Sequence, residues 1–213
     1  MEPATDNLPS ARRDAFTLIE LLIVISIISL LIAITLPSLR SVRRQAKMAV
    51  CGANLKQIGI AMGGYLSTSN DRFPYASFFP SFGPAPIDRD EPLYIADVLG
   101  DYVNHDDDVF HCPDDRPGKT HRDLPNNGKS YFQTERSSYE YRISIGPPGR
   151  GLPIAGNSMD EVSNRLQAFF GEPFPVNTIW YFRDFAGFHA QRGKNRTRNY
   201  LYVDGHVADF EKL

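Results

Sequence analysis

Residues 14–36 read DAFTLIELLIVISIISLLIAITL, and this stretch decides the fold of the chain. From Phe16 to Leu36 the only charged residue is Glu20. A helix rises about 1.5 Å per residue, so the run predicts a helix of roughly 30 Å, the thickness of one bilayer core. A carboxylate inside a membrane is costly unless it finds a partner. The presence of Glu20 therefore indicates that this helix has a function besides anchoring the chain in a membrane.

Two ordinary explanations of the apolar run compete with this interpretation. A secretory signal peptide has a shorter apolar core followed by a cleavage site of small residues. This run is too long, and Thr35-Leu36-Pro37 at its end is a poor cleavage site. An ordinary signal anchor remains the alternative, but it would leave the carboxylate of Glu20 without an explanation.

The residues before the run complete a more specific pattern. Arg12 and Arg13 provide a basic flank, Ala15 is small, and residues 16–20 read FTLIE. This arrangement resembles the amino-terminal signal of type IV prepilins and type II secretion pseudopilins. A dedicated membrane peptidase processes the proteins of that family.

The resemblance implies specific roles for residues at this end of the chain. A prepilin peptidase would cut between Ala15 and Phe16, remove a leader at residues 1–15, and methylate the new amino terminus on Phe16. Glu20 would serve assembly with other subunits. The protein would be single-pass in the inner (cytoplasmic) membrane, with its head outside the cytoplasm, or part of an extracytoplasmic fibre.

The sequence beyond the run predicts that the helix continues. Pro37 predicts a kink or a boundary. After it, apolar residues recur every three or four positions, which indicates an amphipathic helix: Leu39, Val42, Ala46, Ala49, Val50, Ala53, Ile58, Ala61, Met62 and Tyr65. Polar residues 67–70 end the pattern. The predicted domains are the leader at 1–15, the helix at 16–66 with a transmembrane segment at 16–36, and a head at 67–213.

The predicted fold class is α+β and pilin-like. A long N-terminal helix, with a transmembrane half and an amphipathic half, packs on a C-terminal head with an antiparallel sheet. Within the head, residues 158–170 predict a short helix with one apolar face. Strands are predicted at 139–145, 176–182 and 199–203, the last followed by an Asp204-Gly205 hairpin turn and a returning strand at 206–210.

The charges around the apolar run oppose the topology that the resemblance implies. Four basic residues follow the run, and two precede it. The positive-inside rule alone would place residues 40–47 in the cytoplasm. The prepilin resemblance places them outside, and we follow the resemblance because the leader pattern is more specific.

Three blocks further along the chain resemble large pseudopilin-like proteins. They are CGANLKQIG at 51–59, CPDD at 112–115, and DGHV at 204–207 preceded by His189. The resemblance implies a head with a terminal His-x(n)-Asp-Gly motif, in which fourteen residues separate His189 from Asp204. It implies no known reaction.

The two cysteines of the chain predict a disulfide. Cys51 lies late in the predicted helix, and Cys112 lies in the head. An even number of cysteines in an exported domain permits a bridge. The alternative is a pair of buried free thiols.

Two groups of residues have ligand types that metals use. His189, Asp204 and His206 could ligate zinc or iron, and the chain would then be a membrane-anchored extracytoplasmic enzyme or metal-binding module. The alternative is a β-hairpin that closes the sheet. The carboxylates in His105–Asp108 and Asp114–Asp115 suit calcium, with a solvated acidic loop as the alternative. We favour the structural alternative in both cases and predict no metal and no cofactor.

The composition narrows the function further. The formal net charge of −2 gives no indication of nucleic-acid binding. No nucleophile elbow, phosphate-binding loop or Cys-x-x-Cys site is present in the sequence. We therefore predict a structural subunit of a type IV pilus or a type II secretion pseudopilus, and not an enzyme. Its expected partners are copies of itself, other pilin-like subunits, the prepilin peptidase and the inner membrane, but no nucleic acid.

Overall fold

The structure of the protein is a computed structural model, and it describes residues 16–77, 93–117, 128–142, 144–145, 152–171, 173, 175–185 and 198–208. The leader at 1–15 therefore lies outside the described residues. The chain divides into two units, Met1–Arg43 and Arg44–Leu213.

A single long helix opens the described chain. Helix α1 runs from Leu18 to Thr68, a length of 51 residues. It continues through Pro37, so this proline does not end the helix. Polar residues after Thr68 end it, and Asn70 and Asp71 adopt positive φ angles of 52° and 57°. The predicted helix ended at residue 66, two residues before the observed end.

The head contains three short helices and six short strands among its described residues. The helices are α2 (Ile95–Leu99), α3 (Tyr131–Glu135) and α4 (Met159–Phe170). The strands are β1 (Tyr139–Tyr141), β2 (Ser144–Ile145), β3 (Leu152–Pro153), β4 (Trp180–Asp184), β5 (Tyr200–Tyr202) and β6 (Val207–Ala208). Three turns of 3₁₀ helix complete the list, at Gly100–Val103, Asp107–Phe110 and Val176–Thr178.

The main sheet is antiparallel throughout and has the strand order β1-β4-β5-β6. Strands β2 and β3 form a separate two-stranded sheet. A long N-terminal helix followed by an antiparallel sheet is the α+β, pilin-like arrangement, and the predicted fold class is confirmed.

The core lies between α1 and the main sheet. Cys51, Leu55, Ile58 and Met62 are buried at a spacing of four and three residues, so they form one face of the helix. Side chains of β1, β4 and β5 join them in the same cluster, together with Phe110 and Leu99. At Gly59 a Cβ atom would lie 3.2 Å from a methyl group of Leu201. The glycine therefore lets β5 approach α1 closely.

Several predicted elements agree with the structure, and two do not. The terminal hairpin is present as β5 and β6, and α4 occupies residues 159–170 with Ser158 as its N-cap. The strand predicted at 139–145 is wrong in extent, because it divides between β1 and β2 in different sheets. The strand predicted at 176–182 begins only at Trp180.

The start of β4 is late for a local reason. The carbonyl of Pro175 accepts hydrogen bonds from both the N–H and the hydroxyl group of Thr178, at 3.0 and 2.6 Å. These bonds close a 3₁₀ turn at Val176–Thr178 before the strand can begin. The β-prone residues of this segment did not reveal the turn. The domain limits 1–15, 16–66 and 67–213 stay predictions.

Candidate functional site

The N-terminal end of α1 holds Glu20 in a defined position. The Glu20 carboxylate accepts hydrogen bonds from the N–H of Thr17 at 2.9 Å and from its hydroxyl group at 2.7 Å. The Thr17 hydroxyl in turn accepts the N–H of Glu20 at 3.3 Å. This reciprocal pattern is a capping box, which satisfies donors that the first turn of a helix cannot satisfy internally. Glu20 therefore has a structural partner in the isolated chain.

The apolar half of α1 has no protein partner within the described residues. The large apolar side chains from Phe16 to Leu36 are exposed. Among the described residues, α1 is the one helix that is long and apolar enough to cross a membrane. A helix that is apolar on all sides requires an apolar environment, either lipid or other helices.

A disulfide joins α1 to the head. The sulfur atoms of Cys51 and Cys112 are bonded, and 61 positions of sequence separate the two residues. One helical turn beyond Cys51, the side-chain amide of Asn54 donates to the carbonyl oxygens of Asp108 and His111, at 3.3 and 2.9 Å. Because these carbonyls belong to the segment that carries Cys112, the hydrogen bonds and the disulfide hold the same part of the head.

An ion pair joins α1 to the same part of the head one helical turn before Cys51. Lys47 Nζ lies 2.7 Å from Asp114 Oδ1 and also donates to the carbonyl of Pro113 at 3.3 Å. Lys47, Cys51 and Asn54 are spaced by four and three residues, so they share one face of the helix. We call these three residues and the segment 108–115 that they hold the clamp.

The last residue of the clamp links it to the sheet. Asp115 accepts the backbone N–H groups of Tyr131 and Phe132, at 3.1 and 2.8 Å, at the start of α3. It also accepts the hydroxyl group of Ser138 at 2.8 Å, and that hydroxyl accepts the N–H of Cys112 at 3.0 Å. The CPDD block is therefore a structural junction between α1, α3 and the strand that follows.

The sequence reasoning missed most of the clamp. It predicted the pairing of Cys51 with Cys112 but did not predict the observed protein contacts of Asn54, Lys47 and Asp115. The helical spacing of Lys47, Cys51 and Asn54 was a signal that could have indicated a shared face.

The hairpin residues of the possible metal site contact each other. His206 Nδ1 lies 2.5 Å from Asp204 Oδ1, and the His206 ring stacks on Tyr202 with the ring centroids 4.2 Å apart. His189, the third predicted ligand, lies outside the described residues. Within the described part of the chain, no group of three or more histidine, cysteine or carboxylate side chains could hold a metal ion.

The acidic residues of the possible calcium site have other partners. Asp106 Oδ1 accepts the N–H of Asp108 at 3.1 Å, as the cap of a 3₁₀ turn. Asp107 Oδ2 lies 3.5 Å from a guanidinium nitrogen of Arg136. The carboxylates of Asp114 and Asp115 belong to the clamp. These contacts give a structural explanation for Asp106, Asp107, Asp114 and Asp115.

The sheet carries a partly buried ion pair that the sequence did not reveal. Arg183 donates two hydrogen bonds to Glu140 across β4 and β1, at 2.7 and 2.8 Å. The guanidinium groups of Arg142 and Arg183 lie over the ring of Trp180, at 4.3 and 4.7 Å from its centroid. Burial raises the pKa of the Glu140 carboxyl, and the charge and hydrogen bonds of Arg183 oppose that rise.

A second buried carboxyl lies at the end of β4. Burial raises the pKa of Asp184 to about 7, although hydrogen bonds from the backbone and the side chain of Asn199 oppose the rise. These hydrogen bonds measure 2.8 and 3.1 Å. The raised pKa predicts that the stability of the head depends on pH.

Comparison with known proteins identifies the N-terminal end of the chain. Residues 10–36 match the family model described as the prokaryotic N-terminal methylation motif. The motif and the 51-residue helix together support a type IV pilin-like prepilin, anchored in a membrane by a single helix. No curated protein and no solved structure matches the chain. The resemblance of the head blocks to pseudopilin-like proteins stays a prediction.

Proposed function

We propose that this protein is a structural subunit of a type IV pilus or a type II secretion pseudopilus, and not an enzyme. One observation carries the proposal: the methylation motif at residues 10–36 opens a helix whose apolar half has no protein partner among the residues that the structure describes. Lipid covers such a helix before assembly, and helices of neighbouring subunits cover it in a fibre. Copies of the chain and other pilin-like subunits are therefore its partners.

Processing produces the form that assembles. A prepilin peptidase removes residues 1–15 and methylates Phe16. The head then lies outside the cytoplasm, anchored to the inner membrane by α1. The disulfide between Cys51 and Cys112 supports this location, because disulfides form and persist in oxidising compartments.

Glu20 docks one subunit onto another. In the isolated chain its carboxylate binds Thr17. In a fibre it also meets the free amino group of Phe16 on a neighbouring subunit, which gives a charge-assisted hydrogen bond in apolar surroundings. Removing one partner of a buried ion pair typically costs about 3–5 kcal/mol, which is enough to prevent docking.

Substitution of Glu20 in a host that carries the assembly apparatus tests the proposal. Glu20→Ala keeps the apolar run and should insert into the membrane normally, but it should yield no fibres. Ser26→Ala is a matched control, because Ser26 is polar, exposed and in the same run, and within the described part of the chain its hydroxyl donates only to the carbonyl of Leu22. Normal fibres from Glu20→Ala, at wild-type membrane levels, would contradict the assembly role.

A further inference from the structure

Three arginines follow the apolar run of α1 without any partner for their charge among the described residues. Arg40, Arg43 and Arg44 are exposed, and no carboxylate in the described ranges lies within ion-pair distance of them. Between Glu20 and Asp71 the chain contains no acidic residue at all. Lys47, the next basic residue, is different because it pairs with Asp114 in the clamp.

The position of the arginines along the helix matches a layer of lipid headgroups. They lie four to eight residues beyond Leu36, which is about 6–12 Å of helical rise. The headgroup region extends roughly 5–7 Å beyond each side of the hydrocarbon core. Helical side chains tilt toward the N-terminus of their helix, so long arginine side chains reach back toward the apolar run.

The guanidinium groups of the three arginines are well suited to bind phosphate. A guanidinium group presents forked N–H donors that match phosphate oxygens bidentately. Arg40 shares one helix face with Arg43 and Arg44, at spacings of three and four residues, so the three groups can act on one patch of membrane surface. An anionic phospholipid supplies both the phosphate and the net negative charge that they lack.

We propose that Arg40, Arg43 and Arg44 bind the phosphate groups of anionic phospholipids in the membrane leaflet on the head side. The proposal rests on the membrane anchoring and orientation of the proposed function, but not on fibre formation. It explains why basic residues follow the run on the side where the positive-inside rule disfavours them. These contacts hold the subunit at a fixed depth, and assembly must break them when α1 leaves the bilayer.

Native mass spectrometry of the full chain tests this binding. The protein is reconstituted with equal amounts of phosphatidylglycerol and phosphatidylcholine, and the lipids retained after mild detergent extraction are counted. A basic residue near an anionic surface strengthens binding roughly fivefold, so each Arg→Gln substitution should weaken phosphatidylglycerol retention by about that factor. The triple variant R40Q/R43Q/R44Q should retain both lipids equally.

Two further variants make the test specific. Lys56→Gln removes an exposed charge from the same helix at a point further from the run, and it should keep the wild-type preference. Arg→Lys at all three positions should keep part of the preference, because lysine retains the charge without the forked donors. Thermal unfolding of the head should not change in any variant.

Four results would overturn the proposal: equal retention of the two lipids by the wild type, an unchanged preference in the triple glutamine variant, an equal loss in Lys56→Gln, or displacement of the lipid by excess inorganic phosphate. The last result would indicate a site for free phosphate. The measurement does not need fibres. Normal fibres from Glu20→Ala with an intact lipid preference would therefore refute the assembly role alone.

Discussion

Two stretches of α1 are both rich in apolar residues but have opposite surroundings. From Phe16 to Leu36 the large apolar side chains are exposed within the described structure. From Cys51 to Met62 one face of the helix is buried in the core of the head. The backbone is helical in both stretches.

This difference shows which surroundings stabilise each stretch of the helix. The first stretch is apolar on all sides, so no single protein face can cover it and it needs lipid or several neighbouring helices. The second stretch is apolar on one face, which the sheet of its own head covers. The clamp lies where the second stretch begins, and it fixes that stretch to the head by covalent and polar contacts.

The largest expected effect comes from removing the disulfide of the clamp. The double variant Cys51→Ser/Cys112→Ser should lower the free energy of unfolding of the detergent-solubilised chain by about 4 kcal/mol, because a 61-residue loop is no longer closed in the unfolded state. Denaturant unfolding measures the loss. Reductant should destabilise the wild type to the same extent and leave the double variant unchanged. Two cysteines that alkylate without reductant would contradict the bridge and the outward orientation of the head.

A matched pair of isoleucines tests the one-sided burial of the second stretch. Ile58 is 0% exposed and Ile60 is 76% exposed, although they lie two residues apart on the same helix. Ile58→Ala should cost about 3 kcal/mol of unfolding free energy, through lost burial and a cavity. Ile60→Ala should change it by less than about 0.5 kcal/mol. Equal losses in the two variants, measured by denaturant unfolding, would disprove the assigned helix face.

The buried carboxyl of Asp184 predicts that the unfolding free energy of the head depends on pH. Its pKa is about 7 in the folded chain, whereas an unperturbed aspartate has a pKa of 3.8. The folded state therefore binds more protons between these values, and stability falls as the pH rises through them. The expected loss between pH 5 and pH 7 is about 2 kcal/mol.

Unfolding of Asp184→Asn across the same pH range measures this contribution. The variant should lose most of the slope, whereas Asp101→Asn, at an exposed position, should keep it. If Asp184→Asn kept the full wild-type change in stability between pH 5 and pH 7, Asp184 would not titrate in this way.

The smallest expected effect concerns the ion pair of the clamp. Lys47→Gln should cost about 1 kcal/mol, because Lys47 is partly exposed and its partner Asp114 is nearly buried. Arg43→Gln, one helical turn earlier and without a described partner, should stay within about 0.5 kcal/mol of the wild type. Thermal unfolding in a zwitterionic detergent compares the two. A larger loss in Arg43→Gln than in Lys47→Gln would contradict the stabilising role assigned to the Lys47–Asp114 ion pair.

The sequence predicted the helix and the fold class because their signals are local and periodic. The apolar run, the three- and four-residue spacing after Pro37 and the Asp204-Gly205 turn all act over a few residues. The face of α1 was predicted less well. Ile58 and Met62 are buried as expected, but Leu39 and Val42 are exposed, because periodicity does not show where the head begins to cover the helix.

The contacts of the clamp and the Arg183–Glu140 ion pair join residues far apart in the chain, so a local pattern could indicate a shared helix face but not the partners. Asn54 reaches a carbonyl 57 positions away, and Arg183 reaches Glu140 over 43 positions. The pairing of two cysteines was predictable only because the chain contains no others. The break between β1 and β2 depends on which strand lies beside each segment, and periodicity cannot show that.

The most direct test of the account is the mass and N-terminal sequence of the native protein, isolated from membranes of a host with an active prepilin peptidase. We predict a chain that begins at Phe16 and carries one methyl group on its amino terminus. The same measurement in a peptidase-deficient host should recover Met1. Intact Met1 in the peptidase-positive host would contradict the processing of this chain as a prepilin.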